Sequence, residues 1–294
     1  LNLPQSVCIK EIGPRMNFQY GSRLSIEQKL QWIQHLVDSG LNHIEVSTLF
    51  HSGNKQQFNE ATELVLKLKR ENGLTYGVLV PNKRSLTRAF VVDADEINFF
   101  LSASESYNEK IKNCSIKQSL KDIKQMTTVT KDYEITTRAY ITTVFGCHGE
   151  EVHHQKAIEL ASQLLDDGVE ELSFVDSVGR ATPHQVKIFL EELLLRVPKE
   201  RCSIQFYNTY GCGLSNIFTA LTYGILRFES ANGGFGGCFP SEVRNRMTGT
   251  EDLISCLHKL KIDTGVDELK LLNATAYIST QVKEEESSSK KHLT

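Results

Sequence analysis

Arg15, Glu45, Asp176, Asn208 and Cys238 lie within or just beyond short apolar runs, and together they offer cationic, acid–base and thiol chemistry. Arg15 belongs to Gly13-Pro14-Arg15-Met16-Asn17-Phe18-Gln19, directly after the first run, and Glu45 sits inside the second, Ile44-Glu45-Val46. Asp176-Ser177 closes the sixth, Gln205-Phe206-Tyr207-Asn208 closes the seventh, and Gly233 to Cys238 follows the eighth. Four of these residues also have a plainer reading. An arginine at a strand end is often half of an ion pair. Asp176 would cap a helix starting near Thr182, Glu45 would bridge inside the fold, and Cys238 would be an inert buried thiol. Lys10 and Lys83 are amines of the type that form Schiff bases. His153-His154 heads a helix and reads as a solvated turn.

Helical and extended patterns alternate along nearly the whole chain, and they must position these groups. Ser25-Ile26-Glu27-Gln28 has the form of a capping box. It opens a helix whose expected buried face is Ile26, Leu30, Ile33 and Val37, ended by Gly40. The same helix–Gly–strand unit recurs at Gly168 and at Gly224. Eight strands are expected near 6–12, 43–48, 75–80, 95–101, 134–144, 170–175, 202–207 and 226–231. Right-handed crossovers make such strands parallel. Eight units favour a single-domain (β/α)₈ TIM barrel over residues 1–280. An open Rossmann-like sheet is the rival, but no GxGxxG follows the first strand. Catalytic groups of a barrel gather at the C-terminal strand ends, where the set above falls. Residues 281–294 are polar and are expected to be a disordered tail.

Composition narrows the partners. The 294 residues carry a formal net charge of −3, and nothing in the sequence suggests the basic face that a nucleic-acid partner usually needs. No apolar run approaches the length of a membrane helix, and Leu1–Lys10 lacks the pattern of a signal peptide. Seven cysteines at irregular spacing, with no CxxC pair, point to a reducing, cytoplasmic setting.

Ordered motifs then carry a family resemblance over about residues 7 to 275. GPRMNFQ at Gly13–Gln19 resembles the GPRDGLQ signature of 3-hydroxy-3-methylglutaryl-CoA lyases. IEVST, VPNKRSL, SASESYNEKIKNCSIKQSL, FGC at Phe145–Cys147 and SFVDSVGRATP resemble later segments, as do NTYG at Asn208–Gly211, GGFGGC at Gly233–Cys238 and TGTEDL at Thr248–Leu253. The resemblance implies that Arg15 binds a substrate carbonyl and stabilises enolate charge, and that Cys238 takes part in proton transfer. Asp176 and Glu45 complete the expected catalytic set, either orienting groups or binding a cation by themselves. Gln19, Asn82, Asn208, Tyr207 and Gln205 are the expected substrate-binding residues. Family members are commonly dimeric, so a homodimer is the expected assembly.

The departures are concentrated in one place. The family holds a divalent cation through an Asp, two His and an Asn. The matching positions here are Met16, Gln205, Tyr207 and Met247. Magnesium and manganese prefer hard oxygen ligands, with imidazole accepted by manganese, so no metal cofactor is expected. His51 or His148 could replace a lost ligand. The leading expectation is a diverged lyase acting on a carbon–carbon bond of an acyl thioester or related keto or hydroxy acid through an enolate, without the metal. Its partner would be a small molecule carried by coenzyme A or a carrier protein. The alternatives are a catalytically inactive barrel with a binding or regulatory role, and the family reaction with a different metal arrangement.

Overall fold

Helix caps and glycine turns set the alternation that the chain folds into. In a computed structural model, residues 3–16, 24–49, 55–147, 150, 152–235 and 246–291 are described, with the backbone alone at 16, 55–58 and 283–291. The elements run β1 (Cys8–Glu11), α1 (Gly13–Met16), α2 (Ile26–Asp38), β2 (His43–Thr48), α3 (Lys55–Lys67), β3 (Thr75–Leu79), α4 (Lys83–Val91), β4 (Glu96–Ser102), α5 (Glu105–Lys112), α6 (Ile116–Lys131), β5 (Thr136–Thr142), α7 (His154–Asp166), β6 (Glu171–Asp176), α8 (Pro183–Leu193), β7 (Cys202–Phe206), α9 (Gly213–Thr222), β8 (Arg227–Ser230), α10 (Thr250–Lys259) and α11 (Glu268–Lys291). The eight strands close in sequence order into one barrel. Every pair is parallel, including β1 with β8, where Lys10 stands opposite Glu229. All eight strands expected from the sequence are present.

The cap at Ser25 forms as its sequence predicts. Ser25 Oγ accepts from Gln28 N–H at 3.2 Å, and Gln28 Oε1 accepts from Ser25 N–H at 2.7 Å. The buried face of α2 is rotated slightly from the expected one. Trp32, Ile33 and Leu36 are buried, while Ile26, Leu30 and Val37 pack along its margins. The reason is Trp32, whose ring lies over Gly13 and whose Nε1 donates to Asn232 Oδ1 at 3.0 Å. The far end of the chain continues the last helix. α11 stays helical to Lys291, because Gln, Lys and Glu are good helix formers and the preceding turns, at Leu271, Ala274 and Ile278, are anchored in the core. No described helix is long and apolar enough to cross a membrane.

Between barrel and helices the packing is apolar, as at Ile44, Val46, Val78, Ile97, Phe99, Ile141 and Phe174. The barrel interior is instead polar. Lys10, Glu96, Asn98, Arg138, Ser173, Ser203 and Glu229 are buried inside it. Towards the C-terminal strand ends a neutral layer follows, of Ile12, Tyr140, Val175, Tyr207, Ala231 and Met247, with Leu79 and Phe100 against it.

Gly40 makes the turn from α2 into β2 at φ +97°, and a Cβ there would stand 2.4 Å from the Gly265 carbonyl oxygen. Both the left-handed backbone and the contact oppose any side chain. Gly40→Ala should therefore cost about 2–4 kcal/mol of stability. Urea denaturation checks this; an unchanged midpoint would mean that the Gly265 segment yields freely.

Candidate active site at the barrel mouth

Arg15 leaves the end of β1 on the single turn of α1 and folds back over the barrel. Its Nη1 donates to Glu45 Oε1 at 2.8 Å, and its guanidinium lies 4.7 Å from the centre of the Tyr140 ring. Glu45, on β2, is wholly buried and also takes the Tyr140 hydroxyl and, at 3.3 Å, the Lys10 ammonium. Burial alone would push the Glu45 carboxyl up. Arg15, Lys10 and the Tyr140 hydroxyl together outweigh it, and the net shift is downward, so Glu45 is an anion. Burial and the neighbouring Glu45 charge push the Tyr140 hydroxyl well above the ordinary phenol range.

Lys10 does point inward, but not as an amine nucleophile. Its Nζ donates to Asn98 Oδ1 at 2.9 Å and is paired with both Glu96 and Glu45, so its donors are already taken. Arg138 completes the network from β5. It reaches Glu229 at 2.7 Å, Ser203 at 3.1 Å, Glu171, and Glu96 at 3.6 Å. Glu229 accepts also from Ser173 and Ser203. Burial opposes charge on Glu96, but Lys10, Arg138 and His43 bring its carboxyl well below the usual range. The sequence reading missed Glu96, Arg138, Tyr140 and Glu229. The available signal was a charged residue at alternate positions of otherwise buried strands, since such charges are rarely fully buried without partners.

Asp176 does not cap α8, whose N-cap is Thr182; it serves the backbone of the turn ahead of that helix. Its Oδ1 accepts from Gly179 and Arg180 amides at 3.0 and 3.3 Å, and its Oδ2 from Ala181 at 3.0 Å. It thus shapes the turn before α8. Burial pushes its carboxyl up to about 6, against the pull of those amides. Asn82 and Asn208, expected to bind substrate, likewise serve the backbone. Asn82 caps α4 through Ser85 N–H at 3.1 Å, and Asn208 Oδ1 accepts from Gly213 N–H at 2.9 Å ahead of α9. An amide side chain just before a helix has unpaired backbone donors within reach, and those donors claim it. Lys83 is exposed on α4, 3.3 Å from Asp122, and His154 faces Glu192 at 3.1 Å. Gln19, Cys238, His51, His148 and the Met16 side chain lie outside the described residues.

Gln205, Tyr207 and Met247 do come together. Gln205 Nε2 points at Met247 Sδ at 3.8 Å, and Tyr207 forms a bridge with Met247. Tyr207 is 0% and Met247 2% exposed. An amide, a phenol and a thioether set among Ile12, Val175 and Ala231 do not fit magnesium or manganese, which want several hard oxygen donors. Among the described residues, no group of three or more His, Cys, Asp and Glu is arranged to hold a metal ion. Tyr140 joins the two halves of the mouth. Its hydroxyl serves Glu45, and its ring belongs to the same neutral cluster as Tyr207.

A closed parallel barrel of eight strands in sequence order, with charged groups converging near its C-terminal rim, defines the class of (β/α)₈ barrels. Within that class the chain belongs to the HMGL-like family, whose model matches residues 17–278. It is 37% identical over 281 residues to hydroxymethylglutaryl-CoA lyase YngG of Bacillus subtilis (strain 168), covering 95% of this chain and 94% of that protein. Identity to the cytoplasmic 3-hydroxy-3-methylglutaryl-CoA lyase of Homo sapiens is 33% over 282 residues, 95% of this chain and 76% of that one. The crystal structure of the Bacillus subtilis HMG-CoA lyase matches with a TM-score of 0.92 at 37% identity, over 96% of this chain and 95% of that chain. That of Pseudomonas aeruginosa hydroxymethylglutaryl-CoA lyase matches with a TM-score of 0.90 at 29% identity, over 96% and 95%.

Two outcomes follow from the buried charges. Lys10→Met strips Glu45 and Glu96 of a shared counterion and should cost about 3–5 kcal/mol in urea unfolding, with partial recovery in the Lys10→Met, Glu96→Gln double variant. If the single variant is as stable as the parent, the ammonium is dispensable.

The second outcome concerns Glu11. It is wholly buried, facing outward from β1, and accepts from Gly13 N–H at 2.6 Å, Asn232 N–H at 2.9 Å and Thr250 Oγ1 at 2.6 Å. Burial pushes its carboxyl from 4.5 up to about 7, against those hydrogen bonds. The folded state therefore holds more protons than the unfolded one between about pH 4.5 and 7, and this group's contribution to stability falls as pH rises through that window. Melting curves of Glu11→Gln and the parent should diverge in favour of the variant as pH rises from about 5 to about 8. A pH-independent difference would show that Glu11 does not titrate there.

Proposed function

We propose that this chain is a hydroxymethylglutaryl-CoA-lyase-like barrel that binds an acyl thioester at its mouth and has diverged from metal-dependent cleavage. One observation carries this reading: the half of the mouth around Arg15 is charged and ordered, while the half around Gln205, Tyr207 and Met247 is neutral and closely packed. Glu45 and Tyr140 hold the Arg15 guanidinium in place, so a thioester carbonyl would meet a fixed positive charge. A hydroxyl and a carboxylate on the acyl group would meet no cation among the described residues of the other half. Free thiols at the six described cysteines are in keeping with a reducing, cytosolic setting.

The second reading is a metal-independent carbon–carbon lyase working through an enolate. The oriented Arg15 favours it, since that charge would stabilise an enolate oxygen. Against it stands the acid–base inventory of the described residues, which do not include Cys238. Glu45 is an anion committed to three partners, the oxygens of Asp176 are taken by amides, and Gln205 has no titratable proton. A metal ion supplies several kcal/mol at such a centre, and about 4 kcal/mol is roughly a thousandfold in rate.

The test uses the full chain. Coenzyme A thioesters should raise its melting temperature, while 3-hydroxy-3-methylglutaryl-CoA should show no turnover approaching about 10 s⁻¹ with or without magnesium or manganese. Turnover at that rate would overturn the reading. Met16→Asp, Gln205→His, Tyr207→His and Met247→Asn should each leave activity flat, and any gain should need all four, because ligands of one ion act as a unit.

A further inference from the structure

Gln205 carries an unmet hydrogen-bonding demand in the neutral half of the mouth. The residue is 1% exposed, yet its Oε1 accepts no hydrogen bond from the described residues, and its Nε2 faces only the weak acceptor Met247 Sδ. A buried amide oxygen left without a donor is costly, and such atoms in folded proteins usually mark a water or a ligand group. The surroundings restrict what that group can be. Val175 is paired in register with Gln205 on one side, and Tyr207 and Met247 pack beside it. On the other side Gln205 stands opposite Glu229, a carboxylate already held by Arg138, Ser173 and Ser203. A second carboxylate placed here would be desolvated by apolar neighbours and repelled by Glu229. Lys10 and Arg138 are committed to buried glutamates, and Arg15 is tied to Glu45. A neutral hydroxyl, by contrast, would give Gln205 Oε1 the donor it lacks. Met247, an unbranched and adaptable side chain, is the neighbour able to move aside for it.

We propose that Gln205 makes the mouth selective for a neutral acyl group that brings a hydrogen-bond donor, a hydroxyl in the simplest case, and selective against one with a free carboxylate. This rests on the acyl-thioester reading above and names its ligand class. It separates the chain from the substrate in its relatives' names, since a 3-hydroxy-3-methylglutaryl group carries a free carboxylate.

Isothermal titration of the full chain with four compounds tests it: coenzyme A, butyryl-CoA, 3-hydroxybutyryl-CoA and 3-hydroxy-3-methylglutaryl-CoA. The hydroxybutyryl thioester should bind about fivefold more tightly than butyryl-CoA, the worth of one neutral hydrogen bond. It should also bind about tenfold or more tightly than the carboxylate-bearing thioester. In Gln205→Met the hydroxyl preference should vanish while butyryl-CoA affinity stays within about twofold, the swap removing the acceptor with little change of volume. Equal or tighter binding of 3-hydroxy-3-methylglutaryl-CoA overturns the proposal, and that comparison in the parent protein stands even if the variant fails to fold. A hydroxyl preference that persists in a folded Gln205→Met also overturns it, since a different acceptor would then be at work. If the thioesters bind without discrimination, only this inference falls. If none of the four binds, the acyl-thioester reading falls first and takes this one with it.

Discussion

Lys10 and Arg138 enter the barrel from β1 and β5 and meet Glu45, Glu96 and Glu229 in a space almost without water access. Burying an ion without a partner costs several kcal/mol, so these groups can exist only as a set. Arg15 closes the set at the mouth through Glu45, so that three cations face those three buried glutamates among the described residues. Glu171 and His43, at the margin, adjust the balance through Arg138 and Glu96. Arg15 and Tyr140 at the C-terminal rim are positioned from this network. Glu45 is anionic because Arg15 and Lys10 are beside it, and Arg15 is fixed because Glu45 is anionic.

Tyr140 converts that electrostatic arrangement into shape. One end of the ring donates to Glu45, and the face lies under the Arg15 guanidinium. The rest of the ring packs in the neutral cluster with Val175, Tyr207 and Met247. A change in the neutral half is therefore felt in the charged half through one rigid side chain. This is the physical reason the two halves belong to one site despite their different chemistry.

The barrel was legible because its signals are local and repeated. The Ser25 cap, the left-handed glycines Gly40, Gly168 and Gly224, and eight apolar runs each state one piece of the same fold. The Arg15–Glu45 side of the site was legible from motif and position. What the sequence did not disclose is which polar atoms the backbone itself would claim. Asp176, Asn82 and Asn208 look chemical in a linear reading, yet the amides of the turns they enter take their oxygens. Nor could spacing reveal the partners of Lys10, because Glu96 and Asn98 are far along the chain and meet it only when β1 and β4 face each other across the closed barrel.

On the proposed reading, the neutral residues Gln205, Tyr207 and Met247 make physical sense as a group. Suppose the ion were lost and a carboxylate and imidazoles remained. The mouth would then hold an anion with no counterion beside Glu45 and Glu229, and removing one partner of a buried charged set is strongly destabilising. Replacing one ligand at a time leaves the same imbalance in smaller form. With Gln205, Tyr207 and Met247 in place, the described lining on that side is neutral and needs no ion to be stable. Buried polar sets can often be exchanged for well-packed neutral residues at no loss of stability, provided the exchange is complete. The glutamates deeper in the barrel are paired with Lys10 and Arg138, cations that come from the chain itself and cannot dissociate. On that reading, the line between the neutral and the charged parts of the mouth is the line between charges that a removable ion would balance and charges balanced by covalently attached ones.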